Sequence, residues 1–379
     1  MKQMIYADNA ATTKLDDEAF EAMLPWLREN YGNASQPYSF SRGPKKALAE
    51  ARASIAACIN ADPEEILFTS GGTESDNWAI KSSAFSDPDH RATITSAFEH
   101  HAVLRSCAAI ERMGYPVAYL RPSTEGVITA NNLAESITQQ TRLVSIMLAN
   151  NELGSIQPIK ALAKTAHSYG ALFHTDAVQA VGHIEINVRE IGVDMLSASA
   201  HKFNGPKGVG FLFVRKGVEL ASYADGGSQE RGYRAGTENI AGIIGMAVAL
   251  KLNCSEMKKN QEHLLSLERE LLDRLKHKNI AFSRNGSSNT LPGVLSLSFP
   301  GVSGETLLHR LDLMGICVST GSACDSKNTE ISHVLKAIKL DEKLALGTIR
   351  ISLGRENTEA DVAVIADAIG RILDTVGEK

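Results

Sequence analysis

Short apolar runs alternate with helical patterns over the first two thirds of the chain. Helical patterns occur at Glu74–Ala84, Ala102–Met113 and Ile159–Ser168. The runs that predict buried strands are Ile66–Thr69, Ala92–Thr95, Val117–Leu120, Leu143–Leu148, Ala171–His174, Met195–Ala198 and Val209–Val214. Strands that alternate with helices indicate an α/β fold with a mainly parallel sheet covered by helices on both faces.

The pattern changes after about residue 252. A long polar–apolar helix is predicted at roughly Glu256–His277. A smaller set of strands and helices follows it, at Val294–Phe299, Glu305–Leu313, Thr348–Ser352 and Asp361–Leu373. We therefore predict a large α/β domain at residues 14–255 and a smaller α+β domain formed by residues 1–13 and 256–379.

Composition and charge narrow the function classes. The 379 residues are 43% hydrophobic and carry a formal net charge of −5, without a basic cluster that would predict nucleic-acid binding. Neither a leader sequence nor an apolar run of membrane-spanning length is apparent, so we expect a cytoplasmic protein. The five cysteines are scattered without a CxxC pair, which predicts neither a metal site nor a disulfide framework.

Five polar clusters follow the predicted strands, where ligands bind in open α/β sheets. Each cluster alone has an ordinary structural explanation, such as a helix cap, a tight turn or a surface lysine. The Ser-Gly-Gly-Thr turn at residues 70–73 leads straight into a helix and could also bind a phosphate. The other clusters contain His100 and His101, Asn150 and Asn151, Asp176 and Gln179, and Ser199, His201 and Lys202.

Taken together, the clusters contain complementary chemical groups. A reactive lysine, a phosphate cradle and a carboxylate for a pyridinium nitrogen are what pyridoxal 5′-phosphate (PLP) requires. Lys202 stands at a strand end, where partial desolvation lowers the pKa of a lysine and makes it nucleophilic. Its small neighbours and the following glycine-rich turn leave room for a ring. The sequence therefore predicts a PLP site with Lys202 as the attachment point.

Nine motifs, from the N-terminus to residue 358, resemble those of one enzyme family. They are YADNAATT, FTSGGTESDN, FEHHAV, NNELG, HTDAVQ, SASAHKFNGPKGVG, YRAGTEN, STGSACDS and IRISLGRENT. The chain resembles the cysteine desulfurases of the NifS/IscS type, within the class V aminotransferase-like family of PLP enzymes. This resemblance implies the type I fold of PLP-dependent transferases.

The resemblance also implies a role for each matching residue. Lys202 is expected to bind PLP covalently, Asp176 to pair with its ring nitrogen, and His100 to stack on the ring. His100 is also the candidate for proton transfer, because an imidazole titrates near neutral pH. Gln179 is expected to contact the ring hydroxyl. The expected phosphate ligands are Gly72, Thr73, Ser199, His201 and, from the partner subunit of a homodimer, Thr237. Asn151 is expected to contact the cofactor or the substrate. The other expected substrate ligands are Asn33 and Arg350, of which Arg350 would clamp the α-carboxylate.

Cys324, in STGSACDS, is the residue that distinguishes a desulfurase from other PLP enzymes. The resemblance implies that it takes sulfur from L-cysteine, leaves L-alanine and passes the persulfide to an acceptor protein. An iron–sulfur scaffold protein and a tRNA-thiolation enzyme are both possible acceptors. Cys317 is instead expected in a strand. One departure from many relatives is Ala34 after Asn33, followed by Gln36-Pro37-Tyr38, which bears on the shape of the substrate entrance.

Two other interpretations remain open. A selenocysteine lyase or an aminotransferase could use the same scaffold, but neither needs a loop cysteine such as Cys324. A non-catalytic scaffold or sulfur carrier could also keep the fold, although the intact Lys202, Asp176 and His100 argue against it.

Overall fold

Strands and helices alternate along the residues that the computed structural model describes, 4–86, 92–320 and 331–377. The strands are β1 (Ile5–Tyr6), β2 (Ile66–Thr69), β3 (Ala92–Ser96), β4 (Val117–Leu120), β5 (Thr141–Ser145), β6 (Leu172–Asp176), β7 (Met195–Ser199), β8 (Gly210–Val214), β9 (Ser283–Asn285), β10 (Val294–Ser298), β11 (Ile316–Cys317) and β12 (Thr348–Ser352). The α-helices are α1 (Asp17–Arg28), α2 (Arg42–Cys58), α3 (Gly72–Ser86), α4 (His101–Arg112), α5 (Ala130–Ala134), α6 (Ile159–Ser168), α7 (Val188–Ile191), α8 (Ile240–His277), α9 (Gly304–Leu313), α10 (His333–Ala337), α11 (Glu342–Leu346) and α12 (Glu359–Gly377).

The main sheet has seven strands in the order β2-β8-β7-β6-β5-β3-β4. Strand β8 runs antiparallel to both of its neighbours, and the other pairs in this sheet are parallel. The predicted α/β fold with a mainly parallel sheet is thereby confirmed. Strands β2, β6 and β7 all point their carboxyl ends towards the same edge of the sheet, so the residues that follow them meet there.

The long helix α8 begins earlier than the sequence predicts. It starts at Ile240, whereas the polar–apolar pattern places its start near Glu256. Its first turns are apolar on most sides and contain Gly242 and Gly245, so they carry no amphipathic signal. Helix α8 is long and apolar enough to cross a membrane. However, 56% of its most apolar 18-residue stretch is buried inside the protein, and the core helix of a soluble protein has the same length and composition.

The C-terminal part forms a separate hydrophobic core. Strands β9, β10 and β12 make an antiparallel sheet, and β1 pairs in parallel with β11. Ile5 and Ala7 of the N-terminal segment share this core with the second half of α8 and with α12. Cys317 lies in β11, as predicted. The domain boundaries at residues 13/14 and 255/256 stay a prediction, which this separate core supports.

Candidate active site

A cavity of about 350 Å³ lies at the carboxyl edge of the main sheet. Its lining brings together ten of the predicted residues: Gly72, Thr73, His100, Asn151, Asp176, Gln179, Ser199, His201, Lys202 and Arg350. A larger cavity of about 560 Å³ lies between the N-terminal segment, α8 and residues 353–361, and none of these ten residues lines it. The chemistry of the side chains, not the size of the cavity, identifies the first as the candidate site.

Lys202 follows β7 in a short 3₁₀ turn, Ala200–Lys202. Its Nζ donates hydrogen bonds of 2.6 and 2.7 Å to the carbonyl oxygens of Ala10 and Ala11. His183 Nε2 donates to the Lys202 carbonyl at 2.8 Å and fixes the backbone of the turn. The turn closes tightly because Gly205 has no side chain, since a Cβ there would lie 2.9 Å from the Ala200 carbonyl oxygen.

Asp176 ends β6 and is 5% exposed. One carboxylate oxygen, Oδ1, accepts a hydrogen bond of 2.9 Å from the Val178 N–H. Burial raises the pKa of Asp176 to about 6, against the opposing effects of the Val178 N–H and the Lys202 charge. The carboxyl group is therefore ionised near neutral pH and can stabilise a positive charge in the cavity.

The turn from β2 into α3 forms an anion cradle. Gly71 has φ +150, and a Cβ at Gly72 would lie 2.4 Å from Val178 Cγ2, so a larger residue at position 72 would collide with Val178. The first N–H groups of an α-helix have no intrahelical acceptor, so those of the 15-residue helix α3 can bind an anion. Ser199 and His201 line the same cavity, next to Gly72 and Thr73.

His100 is neutral at physiological pH, whereas the sequence analysis expected its imidazole to titrate near neutral pH. Burial, with the charge of Lys202 as a smaller cause, lowers its pKa to about 4. Its Nδ1 caps α4 by accepting a hydrogen bond of 3.1 Å from the Ala102 N–H. The proton of the neutral ring is therefore on Nε2. Burial likewise lowers the pKa of His201 to about 4, so His201 is also uncharged.

Arg350 lies on β12 in the C-terminal part of the chain, and its positively charged side chain lines the cavity. Its guanidinium donates at 2.7 Å to Asp8 Oδ1 and at 2.8 Å to the Asn151 carbonyl oxygen. Its Nε and the Asn151 side-chain oxygen are both buried and have no hydrogen-bond partner in the described part of the chain. Among the described residues, one donor and one acceptor at this cavity are therefore left without a partner. The sequence reasoning missed Asp8, although it stands inside the quoted YADNAATT motif.

Two predicted residues, Asn33 and Thr237, lie away from the cavity. Asn33 is half-buried between α1 and α2, where its side-chain oxygen accepts from the Ser35 N–H at 2.9 Å. Thr237 is exposed just before α8. Neither lines the cavity of this single chain. Cys324 lies outside the described residues, whereas Ser319 and Thr320, which precede it, line the cavity.

Known proteins are similar to this chain over most of its length. The model of the aminotransferase class-V family matches residues 5–365. Cysteine desulfurase IscS of Dictyoglomus turgidum is 48% identical over 99% of this chain and 95% of its own. The putative cysteine desulfurase IscS 1 of Bacillus subtilis is 44% identical over 98% of this chain and 100% of its own.

This chain is also similar to proteins of known structure. A NifS-like protein superposes with a TM-score of 0.93 at 37% identity and covers 98% of this chain and 100% of its own. SspA, solved in complex with cysteine, gives a TM-score of 0.82 at 35% identity over 93% of this chain and 100% of its own. The type I fold expected from the motifs is confirmed. The chain belongs to the class-V aminotransferase family and, within it, to the cysteine desulfurases of the NifS/IscS type.

Proposed function

We propose that this protein is a PLP-dependent cysteine desulfurase that converts L-cysteine to L-alanine and transfers the sulfur to Cys324. One observation carries the proposal. A lysine amine, a buried carboxylate and an arginine (Lys202, Asp176 and Arg350) line one cavity beside a helix N-terminus that can bind a phosphate. Family membership supports the same activity.

The residues of the cavity fit PLP. The N–H groups of Gly72 and Thr73, with Ser199, would hold the phosphate, and Asp176 would hold the ring nitrogen. Lys202 would attach to the cofactor, with His100 against the ring face and Gln179 near the ring hydroxyl. When bound, PLP supplies an electron sink that stabilises negative charge on the substrate α-carbon.

Arg350 would bind the α-carboxylate of L-cysteine. Arg350 lines the cavity, and Asp8 and the Asn151 carbonyl hold its guanidinium in place. Its Nε has no hydrogen-bond partner among the described residues and would donate to a carboxylate oxygen. The Asn151 side-chain oxygen, which also lacks a partner among them, would accept from the substrate ammonium. SspA, whose structure holds cysteine, supports this substrate class. Asn33 remains a predicted substrate ligand.

Cys324 would accept the sulfur atom. Thr320 lines the cavity and lies four residues before it, so covalent geometry keeps the two Cα atoms within about 14 Å of each other. A thiol with an ordinary pKa is mostly protonated at neutral pH, so the thiolate must form near the site. Neutral His100 is a weak base, because burial lowers its pKa to about 4, but its Nε2–H can donate to a developing negative charge.

The protein would act as a cytoplasmic homodimer. Thr237, which is exposed in the single chain, would complete the phosphate site of the partner subunit. The persulfide would pass to an acceptor protein, either an iron–sulfur scaffold or a tRNA-thiolation enzyme.

The decisive assay is product analysis with PLP, L-cysteine and a thiol reductant. We expect equal amounts of L-alanine and sulfide from the wild type, no pyruvate, and no product from Asp176→Ala. Lys216→Ala is the matched control, because Lys216 is exposed beyond the opposite end of the sheet, and it should retain full activity. Pyruvate and ammonia as the products, or an absence of turnover in the wild type, would refute the proposal.

A further inference from the structure

A second buried aspartate, Asp76, lies beside the one assigned to the cofactor. It is on α3, one turn beyond the Gly72 N-terminus, and its side chain lines the same cavity. Asp76 is 1% exposed, and its Oδ1 has no hydrogen-bond partner among the described residues. None of the roles proposed above uses it.

The surroundings of Asp76 contain acids and a neutral imidazole. His174 Nε2 lies 3.7 Å from Asp76 Oδ1, and the Ser197 hydroxyl also interacts with this carboxyl. Burial lowers the pKa of His174 to about 3, and its two ring nitrogens bond to Ser145 Oγ at 2.8 Å and Ser197 Oγ at 2.9 Å. His174 is therefore uncharged and cannot act as a counter-ion.

The other titratable neighbours of Asp76 are also acidic. They are the Asp176 and Glu99 carboxyls and the buried Cys107 thiol on α4. Within residues 4–86, 92–320 and 331–377, neither a lysine nor an arginine forms an ion pair with Asp76. Asp176, by contrast, has the Val178 N–H and the Lys202 charge to stabilise its ionised form.

Two buried carboxyls with one source of positive charge between them cannot both ionise at neutral pH. Desolvation, with repulsion from Asp176 as a smaller cause, holds the pKa of Asp76 well above its ordinary value. The pair therefore carries one negative charge, and that charge is on the member with the better partners.

We propose that Asp76 is a positioning residue that stays a neutral carboxylic acid and thereby confines the single negative charge of this acidic pair to Asp176. The inference rests on the proposed role of Asp176 towards the cofactor ring nitrogen. An ionised Asp76 would add a second negative charge at the same cavity and compete with Asp176 for the positive charge of the ring nitrogen.

Infrared spectroscopy tests the charge state directly. The full chain is labelled with ¹³C-carboxyl aspartate, which separates aspartate bands from the band of Glu99. We expect a protonated-carboxyl band at pH 7, with and without PLP, that disappears in Asp76→Asn. The control Asp16→Asn should instead lose a carboxylate band, because hydrogen bonds from Arg355 and from the backbone keep the pKa of Asp16 below its ordinary value. Loss of a carboxylate band in Asp76→Asn would overturn the proposal.

A second variant tests whether the two acids share one charge, which a purely structural role would not require. In Asp176→Asn the repelling charge is gone, so the Asp76 band should titrate at a lower pH than in the wild type. An identical titration in the wild type and in this variant would refute the coupling.

Cofactor affinity supplies an independent readout. Asp176→Asn should weaken PLP binding by about tenfold or more, whereas Asp76→Asn, a neutral replacement of similar shape, should stay within about threefold of the wild type. The reverse order would place the charge on Asp76. If the wild type binds no PLP, the proposed function fails, while the infrared result still decides the charge state of Asp76.

Discussion

Replacing Arg350 by lysine should weaken substrate binding while leaving the fold intact. Arg350 is 7% exposed, and its guanidinium bonds to Asp8 Oδ1 and to the Asn151 carbonyl oxygen. A lysine keeps the positive charge, so Asp8 retains a partner. The single ammonium cannot reproduce the planar fork, however, and its donors would be occupied by those same two oxygens.

The size of the effect follows from the hydrogen bonds that are lost. A hydrogen bond to a charged group contributes about 1.5–3 kcal/mol. Losing one such bond to the substrate carboxylate should raise KM for L-cysteine about 10- to 100-fold, since about 1.4 kcal/mol corresponds to a factor of ten. The thermal midpoint should change little, because the charge in the cavity is retained.

Initial rates of alanine formation over a range of L-cysteine concentrations measure this effect. Arg284→Lys is a matched control, since Arg284 lies on β9, at the other edge of the three-stranded sheet that contains β12, and pairs with Glu268 at 3.2 Å, away from the cavity. It should leave KM unchanged. A KM for Arg350→Lys within about threefold of the wild type, in a folded protein, would show that Arg350 does not bind the carboxylate.

Three further predictions concern other groups. Burial raises the pKa of Glu99 from 4.5 to about 8. The folded state then keeps a proton that the unfolded state releases, so stability should fall between pH 5 and 8 by up to about 1.4 kcal/mol per pH unit, and urea titrations of Glu99→Gln should show a smaller fall. Cys324→Ser should release no alanine, and mass spectrometry of the wild type after L-cysteine should find one added sulfur atom on the Cys324 peptide alone. Thr237→Ala should retain PLP less well by equilibrium dialysis, and a fully active monomer in sedimentation would contradict the shared site.

The secondary structure was predictable wherever burial produces a recognisable pattern of apolar and polar residues in the sequence. Strands β2, β4 and β12 begin and end as the apolar runs predict, and α6 matches its pattern at both ends. The first part of α8 was missed because it is buried on most sides and so lacks a polar face. The periodicity of apolar residues therefore predicts a half-buried helix or strand more reliably than a fully buried one.

The residues that line the cavity could be predicted from the sequence where they stand at or near the end of a predicted strand. Asp176 ends β6 and Lys202 lies in the short turn after β7, and the apolar runs located both strands. The contact between Asp8 and Arg350 joins residues 342 positions apart, so the sequence alone gave no sign of it. The low pKa of His100 was equally hidden, because it depends on burial and on the distant Lys202 charge.

The most direct test of the account is the identity of the residue that binds PLP covalently. The wild type is incubated with PLP, reduced with borohydride, digested and mapped by mass spectrometry. We predict a phosphopyridoxyl group on Lys202 and on no other lysine, and its absence from Lys202→Ala. A reduced cofactor on another lysine, or an unmodified Lys202 in a protein that turns over L-cysteine, would contradict the central claim.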